Sequence, residues 1–392
     1  MQITKVIPWL ISAPAPFLDT ADDEKDLNAM REYVFVEVQT DDGVTGWGEI
    51  TGTSSVANRT VCAALRHVSD MLVGTDPRLI EKTWNRIFRA FTYMGSRGAT
   101  TNVISGIDIA LWDIRGKVLG LPISELFGGP VREGVAIYCH PRDKVSVKNA
   151  AQHAKAIKAT GQMALKTDPW QPYFEDEVDG YMSGRLSAEA ENHGIELIAA
   201  IREAVGPDFE ILIDNHGRFD APTAIRLANA LEPYKIFWFE EPVPVESHHA
   251  LRQVKENTNV PICIGERVHT RWEFVPYLEN ELADFIMPDV TWTGGISELK
   301  KIATMAEAYY IPISPHDASG PINVLAGAHV MASVPNHYRV ETSRAKLHAY
   351  DVFIDHPLDI RGDKIFLSDR PGLGIELDRE YMRAHALDGY RD

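Results

Sequence analysis

The stretches EILID (210–214), IFWFE (236–240) and PICIGE (261–266) decide the fold. Each is a short run of apolar residues that ends on an acidic residue. Continuous apolar runs of this length are typical of strands that are buried on both faces of a parallel sheet. Segments with helical periodicity follow the first two runs, at 221–232 and 246–256. This alternation predicts βα units.

The same alternation extends to both sides of these runs. The further helical stretches are 193–205, 297–308 and 322–333, and the further apolar runs are VAIYC (135–139), MALKT (163–167), DFIMP (284–288), IPIS (311–314) and YRVET (338–342). Eight apolar runs that alternate with helices in this order indicate a parallel β/α barrel. The polar and aromatic stretch 168–192 follows the second strand, so it is predicted to be a long loop at the catalytic face.

The first 125 residues have a different pattern. Residues 2–11 and 33–40, and the segment VTGWGEI that follows a turn at Asp41-Asp42-Gly43, predict an antiparallel meander. Residues 58–70, 79–92 and 102–119 predict helices. The chain therefore begins with an α+β module, and the barrel follows it. Its tail, from about residue 350, has no βα repeat and is expected to pack on the N-terminal module.

Composition and charge exclude several classes of protein. The chain has 392 residues, of which 45% are hydrophobic and 24% charged, as is usual for a globular enzyme. A net charge of −17 argues against a nucleic-acid partner. We see neither a signal peptide nor an apolar stretch that approaches the roughly 20 residues of a membrane span. We expect a cytoplasmic protein that does not bind membranes.

Asp214, Glu240 and Glu266 are predicted to form a metal site. They follow three successive strands and are separated by 26 residues in each case. Active sites of β/α barrels lie at the C-terminal ends of the strands, where these side chains would converge. Carboxylate oxygens are the ligands that Mg²⁺ prefers. Any one of these acids could equally be a solvated loop residue, and it is the regular repeat that favours a Mg²⁺ site.

Ionisable residues also accompany the remaining strands. Asp289 follows the sixth strand, His316 the seventh, and Glu341 lies in the eighth. A carboxylate beside an imidazole fixes its tautomer and raises its basicity, so Asp289 and His316 are candidates for a proton-abstracting dyad.

His216 and Lys166 complete the set of candidate catalytic residues. His216 lies two residues after Asp214, and the period of a strand would point both side chains into the barrel mouth. There it could act as a general acid or base, unless it is a hydrogen-bonded structural histidine. Lys166 ends the second strand and could bind a substrate carboxylate, unless it is a surface lysine. His140, at the end of the first strand, could face the pocket or pack against its neighbours.

Seven motifs together carry a specific resemblance that covers nearly the whole chain. They are GIDIALWDIRGKVLGLPISELFGG (106–129), DNHGR (214–218), FEEP (239–242), IGER (264–267), MPDVTWTGG (287–295), SPHD (314–317) and ET (341–342). With them the sequence resembles the mandelate racemase subgroup of the enolase superfamily. The resemblance implies a capping domain of residues 1–125, completed by 350–392, and a modified (β/α)7β TIM-like barrel over 130–345.

The resemblance also implies roles for individual residues. It implies Mg²⁺ on Asp214, Glu240 and Glu266, with Glu240 as the glutamate of FEEP that matches the family ligand, and a His316–Asp289 dyad. It further implies a sugar-acid substrate and a homo-oligomer, either a dimer or an octamer. In the family, loops of the capping domain close over the substrate, and the corresponding segments here are 13–26 and 51–60.

One departure from the subgroup points to the reaction. Many members carry Lys-x-Lys on the second strand, with the second lysine as a base, whereas this chain has Lys166-Thr167-Asp168. Racemisation by a lysine and a histidine is therefore in doubt. A histidine just after the third strand resembles the galactonate dehydratase type of acid-sugar dehydratase, in which this histidine protonates the leaving hydroxyl.

The hypothesis that follows is dehydration of an aldonate-type sugar acid. His316 removes the C2 proton, and His216 protonates the 3-hydroxyl. The enediolate is stabilised by Mg²⁺, by Lys166 and, if Glu341 is protonated, by a hydrogen bond from that acid. The absence of an obvious second arginine clamp favours a monocarboxylic substrate over a dicarboxylic one. The alternatives are a racemase or epimerase with His216 and His316 on opposite sides of C2, and a non-catalytic homologue. A metal-dependent hydrolase fits less well, since those sites are usually rich in histidine ligands.

Overall fold

The computed structural model describes residues 1–14, 30–140, 146–174, 183–342 and 347–390. Its strands are β1 (Ile3–Pro14), β2 (Met30–Thr40), β3 (Thr45–Ile50), β4 (Gly134–Cys139), β5 (Ala164–Thr167), β6 (Glu210–Asp214), β7 (Trp238–Glu240), β8 (Ile262–Ile264), β9 (Phe285–Ile286), β10 (Val340–Thr342), β11 (Asp359–Arg361) and β12 (Lys364–Phe366). Its helices are α1 (Ser55–Ser69), α2 (Ile80–Ala90), α3 (Ala99–Leu119), α4 (Val147–Ala159), α5 (Ala188–Val205), α6 (Ala221–Leu231), α7 (His248–Glu256), α8 (Thr270–Glu279), α9 (Gly295–Ala308), α10 (Pro321–Ala332) and α11 (Arg379–His385). Within these ranges, no helix combines the length and the apolar character needed to cross a lipid bilayer.

The N-terminal strands form an antiparallel sheet in the order β1-β2-β3, as the meander pattern predicted. We refer to this sheet and helices α1–α3 as the cap. Helix α3 packs on β3 at a glycine: a Cβ on Gly48 would lie 1.9 Å from the carbonyl oxygen of Gly106. Only a glycine lets the two backbones approach this closely. The end of β3, which leads towards the site, is therefore fixed against α3.

Strands β4 to β9 form the parallel barrel in chain order. Strand β10 pairs in parallel with β4 and closes it. The predicted seventh strand, IPIS (311–314), makes isolated parallel bridges from Ile313 to Ile286 and to His337. Helices α4 to α10 follow the first seven barrel positions in turn. This is the predicted (β/α)7β barrel.

Alternation along the barrel strands places the site residues. An interior cluster of buried side chains includes Ala164, Leu212 and Trp238. Side chains two residues apart on a strand point to the same face. Lys166, Asp214 and Glu240, which lie two residues further along, therefore also point into the barrel, above the apolar cluster, and all three are buried.

The C-terminal segment contacts both the barrel and the cap. Strands β11 and β12 form a hairpin, and β12 pairs in antiparallel fashion with β4. Beyond it, Glu376 Oε2 accepts a hydrogen bond of 2.7 Å from the indole of Trp47. The backbone N–H of Leu387 donates to the carbonyl oxygen of Leu10 at 2.9 Å. The tail thus ties the cap sheet to the outside of the barrel.

Buried carboxylates of the cap bind the N-termini of two barrel helices. Asp108 on α3 accepts hydrogen bonds from the backbone N–H and the hydroxyl of Ser297, in the first turn of α9, at 2.9 and 2.6 Å. Glu49 on β3 accepts from the backbone N–H of Asn323, in the first turn of α10, at 3.0 Å. Acceptors at a helix N-terminus satisfy its free N–H groups and interact favourably with its dipole. These contacts hold the cap over the C-terminal ends of the barrel strands.

The contact between Asp108 and Ser297 predicts how the stability of the protein depends on pH. Burial raises the pKa of Asp108 to about 7, although the hydrogen bonds from Ser297 act to lower it. A carboxyl group whose pKa is raised by folding stabilises the protein below its unfolded pKa, and this contribution is lost as the pH rises through the folded pKa. We expect the free energy of unfolding to fall between about pH 4 and about pH 7, by at most about 1.4 kcal/mol per pH unit.

Asp108→Asn should remove this part of the pH dependence, because the amide does not ionise but can still accept a bond from Ser297. Denaturant unfolding at several pH values measures the effect. Asp208→Asn, at an exposed position, is the control and should retain the wild-type slope. Equal slopes for wild type and Asp108→Asn would contradict the prediction.

Candidate metal centre and active site

Asp214, Glu240 and Glu266 meet at the mouth of the barrel. Asp214 ends β6 and Glu240 ends β7, and the two are paired in register. Glu266 lies two residues beyond the end of β8. Each residue offers one carboxylate oxygen, and these three oxygens lie within 4.8 Å of one another. The residues predicted from the repeat therefore form a buried group that could hold a metal ion.

The charge and chemistry of this group fit a divalent cation. Burial raises the pKa of Glu240 well above its usual range, and the nearby charge of Asp214 raises it further. Lys166 offsets only part of this repulsion, with Nζ 2.6 Å from Glu240 Oε1 and 3.4 Å from Asp214 Oδ2. The oxygens on offer are the ligands that hard cations take. A divalent cation between the three carboxylates would relieve the remaining repulsion.

The structure brings Asp289 and His316 together as expected. The imidazole Nδ1 donates to Asp289 Oδ2 at 2.8 Å. The other carboxylate oxygen of Asp289 accepts from the backbone N–H and the hydroxyl of Thr291 at 2.7 and 2.6 Å. Asn323 Nδ2 lies 3.3 Å from both oxygens. The carboxylate is thus held by neutral donors, and it orients the imidazole so that Nε2 lies 3.4 Å from Glu266 Oε2.

His216 approaches the carboxylate group from the third barrel strand. Its Nε2 lies 3.5 Å from Asp214 Oδ2, and its backbone N–H donates to Asp214 Oδ1 at 3.0 Å. The position agrees with the prediction, but the cause differs. Strand β6 ends at Asp214, and His216 has a φ of +52°, followed by Gly217 at +68°. A left-handed reversal, and not the period of the strand, directs this imidazole towards the mouth.

Both imidazoles lie in a negative environment. The pKa of each is raised to about 9: burial acts to lower it, but nearby carboxylates outweigh burial, Asp214 foremost for His216 and Glu341 for His316. A divalent cation bound among the same carboxylates would oppose this rise. Each histidine is therefore able to exchange a proton close to the proposed metal position.

Lys166 and Glu341 lie deeper than the sequence suggested. Lys166 is fully buried and, besides Asp214 and Glu240, its Nζ contacts Glu341 Oε1 at 2.9 Å. It is therefore not a surface lysine, and it lies beneath the groups that line the cavity described below. Glu341 also accepts a bond from the Tyr138 hydroxyl at 2.9 Å and contacts His140 Nε2. Although burial acts to raise the pKa of Glu341, Lys166 holds it below the usual range. This environment favours the ionised form of Glu341 over the protonated form.

A cavity of about 570 Å³ lies over these groups, between the barrel mouth and the cap. Its wall is formed by Arg31, Thr51, Gly52, Thr53, Asn102, His216, Glu266, Arg267, His269, Trp292, His316 and Ala318. The cap segment 51–60 contributes three of these residues, as expected. Most of the other expected cap segment, 13–26, and residues 175–182 of the long loop lie outside the described residues.

Several residues of the cavity wall were not predicted from the sequence. Asn102 Oδ1 and Trp292 Nε1 are buried and have no hydrogen-bond partner among the described residues. Buried polar atoms without partners are rare, and beside a cavity they are groups that a hydroxylated ligand could satisfy. Trp292 lies in the motif 287–295, and this motif could have indicated that Trp292 is close to the site. Arg31 and Asn102 belong to the cap and have no periodic relation to the barrel strands.

Two family models match the chain. Residues 148–381 match the model described as enolase C-terminal domain-like. Residues 27–128 match the N-terminal domain of mandelate racemase / muconate lactonizing enzyme. The chain belongs to the enolase superfamily. Within it, the N-terminal match places this superfamily member in the mandelate racemase subgroup, as the motifs indicated.

This enolase superfamily member is also similar to individual proteins along most of its length. It is 38% identical over 363 residues to the D-galactonate dehydratase of Ralstonia nicotianae, an alignment that covers 88% of this chain and 89% of that protein. It is 32% identical over 365 residues to the D-xylonate dehydratase of Haloferax volcanii, with 91% and 86% covered. The solved structure of a mandelate racemase/muconate lactonizing enzyme-like protein from Rubrobacter xylanophilus matches with a TM-score of 0.85, at 33% identity over 99% of this chain and 98% of that one.

The adjacent residues Glu240 and Glu241 provide a matched test of the metal group. Glu241 is buried too, but it contacts Arg267 and accepts from the backbone N–H of Gly265 at 3.3 Å. Glu240→Gln removes a proposed ligand and should weaken Mg²⁺ binding by roughly tenfold or more. Glu241→Gln should stay within a few-fold of wild type.

Isothermal titration with MgCl₂ measures both affinities, and circular dichroism checks that both variants are folded. An equal loss of Mg²⁺ binding in the two variants would refute the assignment of Glu240 as a ligand.

Proposed function

We propose that the chain is a Mg²⁺-dependent hydro-lyase that converts a sugar acid to a 2-keto-3-deoxy acid. The observation that carries the proposal is that His216 and His316 line one cavity, and that the Nε2 of each lies within 3.5 Å of a carboxylate of the metal group. Loss of a proton and departure of a hydroxyl need a base and an acid around one substrate. The similarity to two sugar-acid dehydratases supports the same reaction.

Asp214, Glu240 and Glu266 would hold the cation. When bound, it supplies the positive charge that stabilises negative charge developing on the substrate carboxylate. We assign Lys166 and Glu341 to charge balance beneath the site, since both are buried and are bonded to each other.

His316 is the proposed general base. Asp289 accepts a hydrogen bond from Nδ1–H of His316. The nitrogen that can take the C2 proton of the substrate is therefore Nε2. The C2–H bond breaks, the proton moves to Nε2, and the electron pair is delocalised into the carboxylate as an enediolate. Asp289 is fixed by Thr291 and Asn323, so the imidazole does not need to reorient during this step.

His216 is the proposed general acid. It gives the proton on Nε2 to the 3-hydroxyl oxygen while the C3–O bond breaks, and water leaves. The electron pair from C2 forms the C2–C3 double bond of an enol. The enol takes up a proton at C3, loses the proton of its 2-hydroxyl to solvent, and becomes the 2-keto-3-deoxy acid. Atoms and charge balance, with one water lost for each sugar acid consumed.

The racemase or epimerase alternative uses the same two histidines on opposite faces of C2. It predicts inversion at C2 and no keto acid. Asp168 in place of a second-strand lysine favours dehydration, because both of its carboxylate oxygens are already bonded, to Arg218 and to backbone N–H groups, and are not available to take up a substrate proton.

Arg31 on the cavity wall bears on the substrate class. The sequence showed no obvious second arginine clamp, and this favoured a monocarboxylic aldonate over a dicarboxylic aldarate. Arg31 belongs to β2 and lies on the same wall as His216 and His316. A guanidinium there could bind either hydroxyls or a second carboxylate. A screen for 2-keto-3-deoxy products should therefore contain both aldonates and aldarates.

We also propose that residues 1–125 and 350–392 form a capping domain beside a barrel domain of residues 130–345, and that the protein is a cytoplasmic homo-oligomer. Limited proteolysis, sedimentation and cell fractionation would test them in turn.

Replacement of each histidine should separate the two chemical steps. In His216→Asn the base is intact, so the C2 hydrogen should still exchange with solvent deuterium while dehydration falls by roughly 10²-fold or more. In His316→Asn both exchange and dehydration should be lost. Proton NMR in D₂O follows exchange, and a colorimetric assay follows the keto acid. Dehydration by His216→Asn at the wild-type rate would refute the role of His216.

A further inference from the structure

We propose that Asp168 is a positioning residue for dehydration: it fixes the imidazole of His216 so that Nε2 faces the cavity and is the nitrogen that exchanges a proton with the leaving group. The inference rests on the proposed function, in which His216 is the general acid. It adds a role for the residue that replaces the second-strand lysine of related enzymes, and this role is not that of a base.

The Asp168 carboxylate is immobilised on both of its oxygens. Oδ1 accepts hydrogen bonds from the backbone N–H groups of Trp170 and Gln171 at 3.1 and 2.9 Å. Oδ2 accepts from Arg218 Nη2 and faces His216 Nδ1 at 3.2 Å. Because one oxygen is bonded to the backbone and the other to a guanidinium, the carboxylate cannot rotate without losing several bonds.

Arg218 is itself fixed in the interior. Its side chain is only 1% exposed. Its Nε donates to the carbonyl oxygen of Asn215 at 3.0 Å, and its guanidinium lies over the ring of Phe174 at 4.7 Å from the centroid. A buried guanidinium needs an anionic partner, and Asp168 supplies it. The same carboxylate oxygen therefore serves Arg218 and His216 together.

An immobile acceptor at Nδ1 determines which nitrogen of His216 reacts. A carboxylate accepts hydrogen bonds and cannot donate them when ionised. Nδ1 must therefore carry a proton whenever it is bonded to Asp168, and proton exchange with the substrate takes place at Nε2. Nε2 is the nitrogen that lies near Asp214, within the metal group. The backbone of His216 is in the left-handed region, so its ring direction depends on such contacts and not on a regular strand.

Asp168 also caps the turn at Trp170, so a purely structural role must be separated from the positioning role. Asp168→Asn tests this. The asparagine carbonyl can keep the two backbone bonds, while its NH₂ group replaces Oδ2 and can accept a bond from neither His216 Nδ1 nor Arg218 Nη2. Loss of the Arg218 contact affects stability, whereas the ratio of the two reaction rates reports on His216. Asp168→Ala removes both functions and serves as the comparison for loss of the turn.

Asp220 offers a matched control on the neighbouring helix. Its Oδ1 accepts from the backbone N–H of Thr223 at 2.9 Å, and its Oδ2 pairs with Arg185 at 3.0 Å. It thus combines a capping bond with an arginine contact, as Asp168 does, but its described partners do not include a histidine. Asp220→Asn repeats the chemical change away from the site.

The experiment measures two rates on a sugar acid that the wild type dehydrates, in the presence of Mg²⁺. Asp168→Asn should lower the rate of keto-acid formation by roughly 10- to 100-fold, while C2 hydrogen exchange with D₂O, which depends on His316, stays within a few-fold. Asp220→Asn should leave the ratio of the two rates unchanged. In parallel, ¹⁵N-histidine NMR at a pH high enough for the His216 ring to be neutral should show a proton on Nδ1 of His216 in the wild type, assigned by its absence in His216→Asn, and a changed tautomer in Asp168→Asn.

A parallel fall of both rates in Asp168→Asn, with a thermal midpoint as low as that of Asp168→Ala, would mean that Asp168 is only structural and would overturn the proposal. So would an unchanged ratio of rates or an unchanged His216 tautomer. If the wild type dehydrates none of the sugar acids, the proposed function fails instead, and the NMR comparison still decides whether Asp168 fixes the His216 ring.

Discussion

Mutual repulsion of buried carboxylates is the constraint on which the rest of this site depends. Lys166 sits below them, within 3.4 Å of carboxylate oxygens of Asp214, Glu240 and Glu341. One ammonium group does not neutralise three buried carboxylates, and burying ions is costly unless they are compensated. The barrel strands force these side chains together because they alternate with the apolar interior cluster. The fold therefore leaves an excess of negative charge that a divalent cation is suited to neutralise.

Two Asp–His pairs flank this group of carboxylates, and the aspartate of each pair is held by different partners. Asp289 is fixed by neutral donors from Thr291 and Asn323. Asp168 is fixed by a buried guanidinium and two backbone N–H groups. A carboxylate that shares its charge with an arginine stabilises a neighbouring positive charge less than one bonded to neutral groups. The site is therefore asymmetric around the substrate cavity, which suits a reaction that needs one base and one acid.

The barrel, the metal group and the His316–Asp289 pair could be predicted because they follow one rule: a side chain at the C-terminal end of each successive strand points to one place. The rule does not predict the direction of side chains that lie beyond the end of a strand. His216 is directed by a left-handed turn, and the environments of Lys166 and Glu341 depend on contacts across the barrel that spacing does not encode. Arg31 and Asn102 reach the cavity from the cap, more than a hundred residues away in sequence from most of the barrel residues that they meet, so only tertiary structure reveals them.

The left-handed backbone at His216 has a consequence for how this sequence can change. A non-glycine residue at a φ of +52° stores conformational strain, which glycine would relieve. Selection for thermostability alone would thus favour replacing the proposed acid, whereas selection for turnover would retain it. Position 216 is a point of stability–activity trade-off. Consensus or stability-guided redesign of this chain should hold it fixed, together with Asp168 and Arg218.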